Sequence, residues 1–446
     1  MNDKLDVTTD NVIRLFFTYA IPTILGMMAI CSASIIDGIF LGRYIGPKAL
    51  AVINLIVPYV SFLLGITTML SAGGCVLSGK LIGERNNKGA SEAFSKVIQI
   101  MVFFIVITCI LVLIFPYHLA HILGANKDII NEVVVYIKNY TYFLPFQLLG
   151  IGISFFARVN GKPGLSSFAL LFSAIMNVIL DFVLIVIFSL GIKGAALATG
   201  ISQSMTFFIL IPIFFSKKST LHFVKSAKFT KDILFSMFNG ISEFLNETSS
   251  GIVAFAFNHV LMIQSGVEGV AAFTTINFFL YSSCLIDYGV ATSMNGPISI
   301  NYGAEKLKRV YKFMKVSILF TLMLGICIAS TLYLLDDIWI TIFLKNKEEK
   351  ISELALAYIG MLWPAFLING INIVITGYFT STLKPMLSFV FSILRSLLLP
   401  IIFILILNYL FMNEKVFLSI PLAEVITLFI SLTYLYLKKR KELINR

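Results

Sequence analysis

What most constrains this chain is a succession of apolar runs of 18 residues or more, repeated from one end of the sequence to the other. A run of that length matches the hydrocarbon thickness a helix must cross, roughly 30 Å. In lipid, only a helix or a closed barrel satisfies its own backbone N–H and C=O groups. Unbroken runs without strict alternation favour helices. The sequence therefore specifies an all-α integral membrane protein. Charged residues make up 13% of it, about half the share of a soluble protein, and no polar block is long enough to form a separate soluble domain.

Twelve transmembrane helices are expected, at 13–41, 50–76, 94–116, 135–157, 165–189, 195–216, 234–263, 270–298, 310–335, 352–380, 386–411 and 416–437. The longest polar connection, SKKSTLHFVKSAKFTKD, falls at the midpoint and divides them six plus six. The expected domains are thus residues 1–216, a cytoplasmic linker at 217–232 and residues 233–446. Short turns join most of the other spans, with Gly191 to Gly194 read as one of four residues. The net charge of +11 suggests nucleic acid at first sight, but the basic residues lie in short loops. With the N-terminus inside, 24 of the 34 Lys and Arg residues fall on the cytoplasmic side and nine outside. That bias places both termini and the linker in the cytoplasm. The five cysteines stand singly within apolar runs, which implies helix packing and neither a disulfide framework nor a metal cluster.

An internal repeat supports the division. Residues 46–83 overlay 266–303 at a constant offset of 220, so that Gly46 meets Gly266, Ala51 meets Ala271 and Gly83 meets Gly303. A weaker, gapped match pairs Lys162-Pro163 with Lys384-Pro385. Six spans per copy give both copies one orientation, as in transporters built from parallel repeats. The expected architecture is two pseudo-symmetric six-helix lobes around a central cleft.

Acids inside apolar runs mark the candidate site. The run from Leu170 to Gly200 carries Asn177 and Asp181, four residues apart and so on one helix face. A carboxylate at membrane depth costs about 2.5–3.5 kcal/mol on the mildest scale, so a partner, an ion or water must offset it. Asp37 is the only acid of the first span, and Thr199 opens the sixth. Asp37 can be read as a helix-end carboxylate paired with Arg43, or as one of four oxygen-bearing residues with Asn177, Asp181 and Thr199. Such a set suits Na⁺ or a shared proton.

These residues sit in strings that resemble the MATE (multidrug and toxin extrusion) family. ARVNGKPGLSSFALLFSAIMNVILDFVLIVIFSLGIKGAALATG matches the family pattern at Arg158, Gly161, Asn177, Asp181, Gly191, Gly194, Ala195, Ala196, Ala198 and Thr199. IIDGIFLGRYIGPKALAVINLIVP, with Asp37 at the acidic position, is similar to the first-span pattern, and PISINYGAEK to the end of the eighth. The resemblance implies a bacterial plasma-membrane antiporter that exports amphipathic cationic or aromatic drugs against H⁺ or Na⁺. It also implies that Asp37, Asn177, Asp181 and Thr199 form a cation-coupling site in the first lobe. No cofactor beyond that ion is expected, and the working unit is a monomer in membrane lipid, without a nucleic-acid partner. At the position corresponding to Asp181 the second copy reads LLLPIIFIL, so the site is not expected to be duplicated.

The second half offers substrate-cleft candidates. Asn239, Glu243, Glu247, Ser250 and Asn258 keep to one helix face, and the two glutamates can equally be solvated at a helix end. Asp287 lies deeper, and Arg395 is the expected counter-ion for one of these acids. A direct ATP-driven pump is disfavoured, because the sequence has no G-x-x-x-x-G-K-S/T loop and no soluble domain to house one. A membrane-embedded enzyme lacks a His or Cys partner for its acids. A lipid-linked oligosaccharide flippase of the same two-lobe fold would need a more cationic cleft, and an ion channel would need no drug-sized one.

Overall fold

The computed structural model describes residues 6–225, 230–334, 349–411 and 413–444, which are helical nearly throughout. The helices are α1 (Val12–Phe40), α2 (Pro47–Gly83), α3 (Asn87–Ile114), α4 (Pro116–Ile122), α5 (Ile130–Thr141), α6 (Leu144–Val159), α7 (Pro163–Asp181) and α8 (Gly191–Leu210). After the midpoint come α9 (Lys231–Asn239), α10 (Ile241–Gln264), α11 (Gly266–Ser293), α12 (Asn295–Gly303) and α13 (Leu307–Leu334). The last four are α14 (Glu349–Ser381), α15 (Pro385–Ile393), α16 (Leu399–Phe411) and α17 (Ser419–Ile444). Three π-helical turns interrupt them, at Leu41–Ile45, Phe182–Ile187 and Leu394–Leu398.

Local chemistry sets the boundaries. Asn11 caps α1 by accepting from the Ile13 and Arg14 amides, Asn86 caps α3 through Gly89, and Thr230 caps α9 through Ile233. Proline opens α2, α4, α7 and α15, where its missing N–H leaves nothing unsatisfied. Among the described residues ten segments have the length and hydropathy to cross a membrane. The expected fourth span is instead a pair, α5 and α6, bent by 54°. Pro145 lies in the first turn of α6 and cannot donate back across the break. A twelfth segment, α10, has 24 residues, about 36 Å of helix, but carries Glu243, Glu247, Asn258, His259 and Gln264. The turn expected at Gly191 to Gly194 lies one step earlier, because α8 already begins at Gly191 after the positive φ of Ser189 (50°) and Gly191 (56°).

The chain forms two compact units. One contains Met1–Glu247, Thr292–Phe313 and Thr380–Pro385; the other contains Thr248–Ala291, Met314–Phe379 and Met386–Arg446. In the first, Phe94 anchors an aromatic cluster, with ring centroids 4.6 Å from Phe214 and 4.9 Å from Phe156 and from Phe223. In the second, Phe417 stacks on Tyr358 at 3.9 Å and on Phe257 at 5.1 Å. Phe103, Ile107, Ile110 and Ile114 stay exposed along one face of α3, the stripe expected of a helix that faces lipid.

The repeat is visible in the backbone. Gly46 and Gly266 both have positive φ, at 111° and 62°, and so do Arg85 (62°) and Glu305 (58°), again 220 positions apart. The helix ends match bond for bond: Asn86 N–H donates to Leu81 O, and Lys306 N–H to Asn301 O. Within the first unit, α2 and α12 cross at these ends. A Cβ on Gly83 would lie 2.1 Å from Ile300 O, and one on Gly303 would lie 2.0 Å from Lys80 O. Ile300 and Lys80 are themselves related by the offset, so the contact is reciprocal about a pseudo-two-fold. The weaker match also holds, since Ser166 Oγ donates to Ser154 O and Ser388 Oγ to Thr376 O, an offset of 222 in both partners.

Candidate functional site

Asp37, Asn177, Asp181 and Thr199 all belong to the first unit. α1 packs along α7, and α7 along α8. This brings the Asp37 carboxyl next to that of Asp181. Asp181 is fully buried and Asn177 nearly so; Asp37 and Thr199 are half-buried. Asp181 is the last residue of α7 before a π-turn, and Asp37 lies one helical turn ahead of another. Such bulges insert a residue into the helical ladder and are frequent at functional sites.

The site is short of hydrogen-bond donors. Asp37 Oδ1, both Asp181 oxygens, Asn177 Nδ2 and Thr199 Oγ1 are buried without a hydrogen-bond partner among the described residues. Buried polar atoms are normally satisfied, so these oxygens and the amide have capacity left for a ligand or water. Arg43 is exposed, and no ion pair joins it to Asp37 among the described residues. Two adjacent carboxyls with an amide and a hydroxyl can hold a proton between them or coordinate a small hard cation. Tyr136 of α5, buried beside Thr199 and both acids, is a fifth wall residue that sequence reasoning missed.

The other candidates divide between the units. Glu243 and Glu247 are half-buried and belong to the first. The polar stripe expected to join them is broken: α9 ends at Asn239, whose Nδ2 donates to Thr380 O at 2.7 Å, while Ser250 and Asn258 are exposed. Gly240 is the break, because a Cβ there would lie 2.0 Å from Met69 O. Arg158 lies in the field of Glu243. Arg158 is buried over the Phe155 ring at 4.4 Å and donates to Thr292 Oγ1 at 3.4 Å.

Arg395 and Asp287 belong to the second unit, where Arg395 forms an ion pair with an acid outside the expected set. Arg395 pairs with Glu424, 3.4 Å away, and donates to Asn369 Oδ1 at 2.6 Å and to the Tyr288 hydroxyl at 3.2 Å. Asn372 Nδ2 holds the other Glu424 oxygen at 2.7 Å. Asp287 lies in the field of Arg395 and Glu424. Glu424 was overlooked, although as the only acid within SIPLAEVITLFISL it carries the same signal as Asp181.

With the geometry in hand, the chain can be compared with known proteins. The MatE family model matches residues 22–183 and 240–406. The chain belongs to the MATE family. Among curated relatives, the multidrug export protein MepA of Staphylococcus haemolyticus is 26% identical over 431 residues, covering 96% of this chain and 94% of that protein. MepA of Staphylococcus aureus is 26% identical over 436 residues, with the same coverage. A multidrug-resistance MATE transporter solved in an outward-facing conformation superposes with a TM-score of 0.90 at 18% identity, covering 98% of each chain. A Pyrococcus furiosus transporter of the same superfamily superposes at 0.89, again with 18% identity, covering 100% of this chain and 99% of that one. The MATE chain described here therefore has the two-lobe fold of its family and is a multi-pass membrane transporter.

Proposed function

We propose that this MATE protein is a secondary active multidrug efflux antiporter of the bacterial plasma membrane. It exports amphipathic cationic or aromatic compounds in exchange for inward H⁺ or Na⁺, with both termini in the cytoplasm. The observation that carries the coupling assignment is the group of unpartnered buried atoms on Asp37, Asn177, Asp181 and Thr199. A proton or Na⁺ entering there supplies the missing partner, and its binding alters the packing of α1 against α7. Drug and ion then oppose each other, because a coupling free energy acts equally in both directions. The lobes alternate access by rocking, as parallel-repeat transporters do. Glu243, Glu247 and Asp287 attract the positive charge of substrates, and Arg395 sets the local balance in the second lobe.

The test is ethidium efflux from proteoliposomes, run first with an imposed pH gradient and then with an imposed Na⁺ gradient. Asp37→Asn and Asp181→Asn should each abolish gradient-driven efflux while leaving membrane insertion intact. Undiminished efflux by either variant would remove the coupling assignment.

A further inference from the structure

The segment leading into each repeat is tied to the opposite repeat. Ahead of α1, residues 6–10 lie across the α12–α13 junction. Arg309 Nη2 donates to Val7 O at 3.0 Å and to Asp10 O at 2.7 Å, and Nη1 to Thr9 O at 3.4 Å. Its Nε holds Asn301 Oδ1 at 3.0 Å, and Asn301 Nδ2 in turn donates to Val7 O at 3.0 Å. Lys306 Nζ adds Thr8 O at 2.9 Å. Ahead of α9, the midpoint linker lies along the start of α3. His222 N–H donates to Ser91 Oγ at 3.2 Å and Val224 N–H to Ser95 Oγ at 2.8 Å, while Asn160 Oδ1 accepts from Thr220 N–H at 2.8 Å. The start of α3 corresponds to the start of α13 at the offset of 220, so the two straps are exchanged between the repeats.

We propose that the exchanged straps form a latch that holds the basic-side ends of α2 and α12 together, with Arg309 as its main fastener. The position supports this. Arg309 follows the α12–α13 loop by two residues, and the end of α12 at Gly303 is in backbone contact with Lys80 of α2. Its partners on the strap are main-chain carbonyls at the foot of α1, the helix that bears Asp37. A planar guanidinium can hold three of them at once, and hydrogen bonds to a charged donor are the stronger kind. Any displacement of the foot of α1 pulls on this junction, so the latch links α1 to the parting of α2 from α12. That link to transport rests on the antiport reading. The latch itself does not.

Hydrogen–deuterium exchange on the full-length protein in nanodiscs tests the latch without requiring transport. Arg309→Ala should raise the exchange rate about tenfold or more in peptides covering 78–86 and 297–306, with no rise at 130–141. Arg309→Lys, which keeps the charge but loses the fork, should fall between. Deleting residues 2–10, which removes every strap carbonyl that Arg309 holds, should reproduce the Arg309→Ala pattern, and combining the two changes should add nothing further. Unchanged exchange at the α2 and α12 ends, a rise spread over the whole chain, or full additivity of the two changes would each overturn the proposal.

Discussion

The contact between α2 and α12 can be tested by one methyl group. In Gly303→Ala the added Cβ would lie 2.0 Å from Lys80 O, 2.7 Å from its carbonyl carbon and 2.9 Å from its Cα. All three atoms are backbone, so no side chain can rotate away. An ordinary carbon–oxygen contact is about 3.3 Å, so the helices must separate by roughly 1 Å or more. Overpacking of this kind costs about 1–3 kcal/mol, which moves the closed arrangement about 5- to 150-fold towards an open one. Gly303 is the last residue of α12 and its φ is not positive, so alanine introduces no backbone strain and the contact alone is tested. Ser299, fully buried against Gly79, is a suitable reporter when converted to cysteine in a background lacking the five native cysteines. Its labelling by a water-soluble maleimide in nanodiscs should accelerate by the same factor in Gly303→Ala. Gly83→Ala should act alike, and the double variant should do less than the sum, because one separation relieves both clashes. Labelling of Gly303→Ala at the parent rate would refute the argument.

Two further outcomes are expected. Glu424→Gln leaves the buried Arg395 guanidinium without its 3.4 Å partner and should lower thermal stability by about 3–5 kcal/mol, whereas Arg395→Met combined with Glu424→Leu should be close to neutral; equal losses in the single and double variants would contradict the pairing. At the strap, the Asp6 carboxylate accepts the Thr8 amide and hydroxyl, both at 2.8 Å, and these hydrogen bonds, helped by nearby Lys306, hold its pKa below the usual aspartate value of 3.8. A lowered folded-state pKa stabilises above the ordinary value and is lost as the pH falls below it, so Asp6→Asn should loosen 297–306 in deuterium exchange at neutral pH, and the variant and parent should converge in strong acid.

What could be read in advance depended on whether a residue's type is costly in its place. Asp37 and Asp181 stood out because acids in apolar runs need an explanation, and Glu424 carried the same mark. The repeat could be seen because Gly46 and Gly266 occupy positive φ and Gly83 and Gly303 touch backbone, which ties those positions to glycine. Tyr136 gave no sign, since an aromatic residue in an apolar helix is ordinary and the chain distance to Thr199 hides their contact. The π-turns gave none either, because no residue type marks an extra residue in the ladder. The straps could not be read because Arg309 binds main-chain carbonyls, which every residue provides.

The repeats agree in shape and differ in charge, and the difference bears on where an ion can be exchanged. At the offset of 222, Asn177 and Asp181 correspond to Leu399 and Phe403, so the second half has no copy of the carboxyl pair. It has Arg395 instead, covalently fixed and held by Glu424, Asn369 and Tyr288. A guanidinium there neutralises one acid permanently. In the first half no basic side chain forms an ion pair with Asp37 or Asp181 among the described residues, and the two carboxyls face each other. On the antiport reading proposed above, that charge is neutralised by a cation that arrives and leaves. The two clusters should therefore fail differently. Loss of Arg395 or Glu424 alone removes a fixed partner and appears as lost stability, whereas loss of Asp37 or Asp181 removes a place for an exchangeable cation and appears as lost coupling in a folded protein.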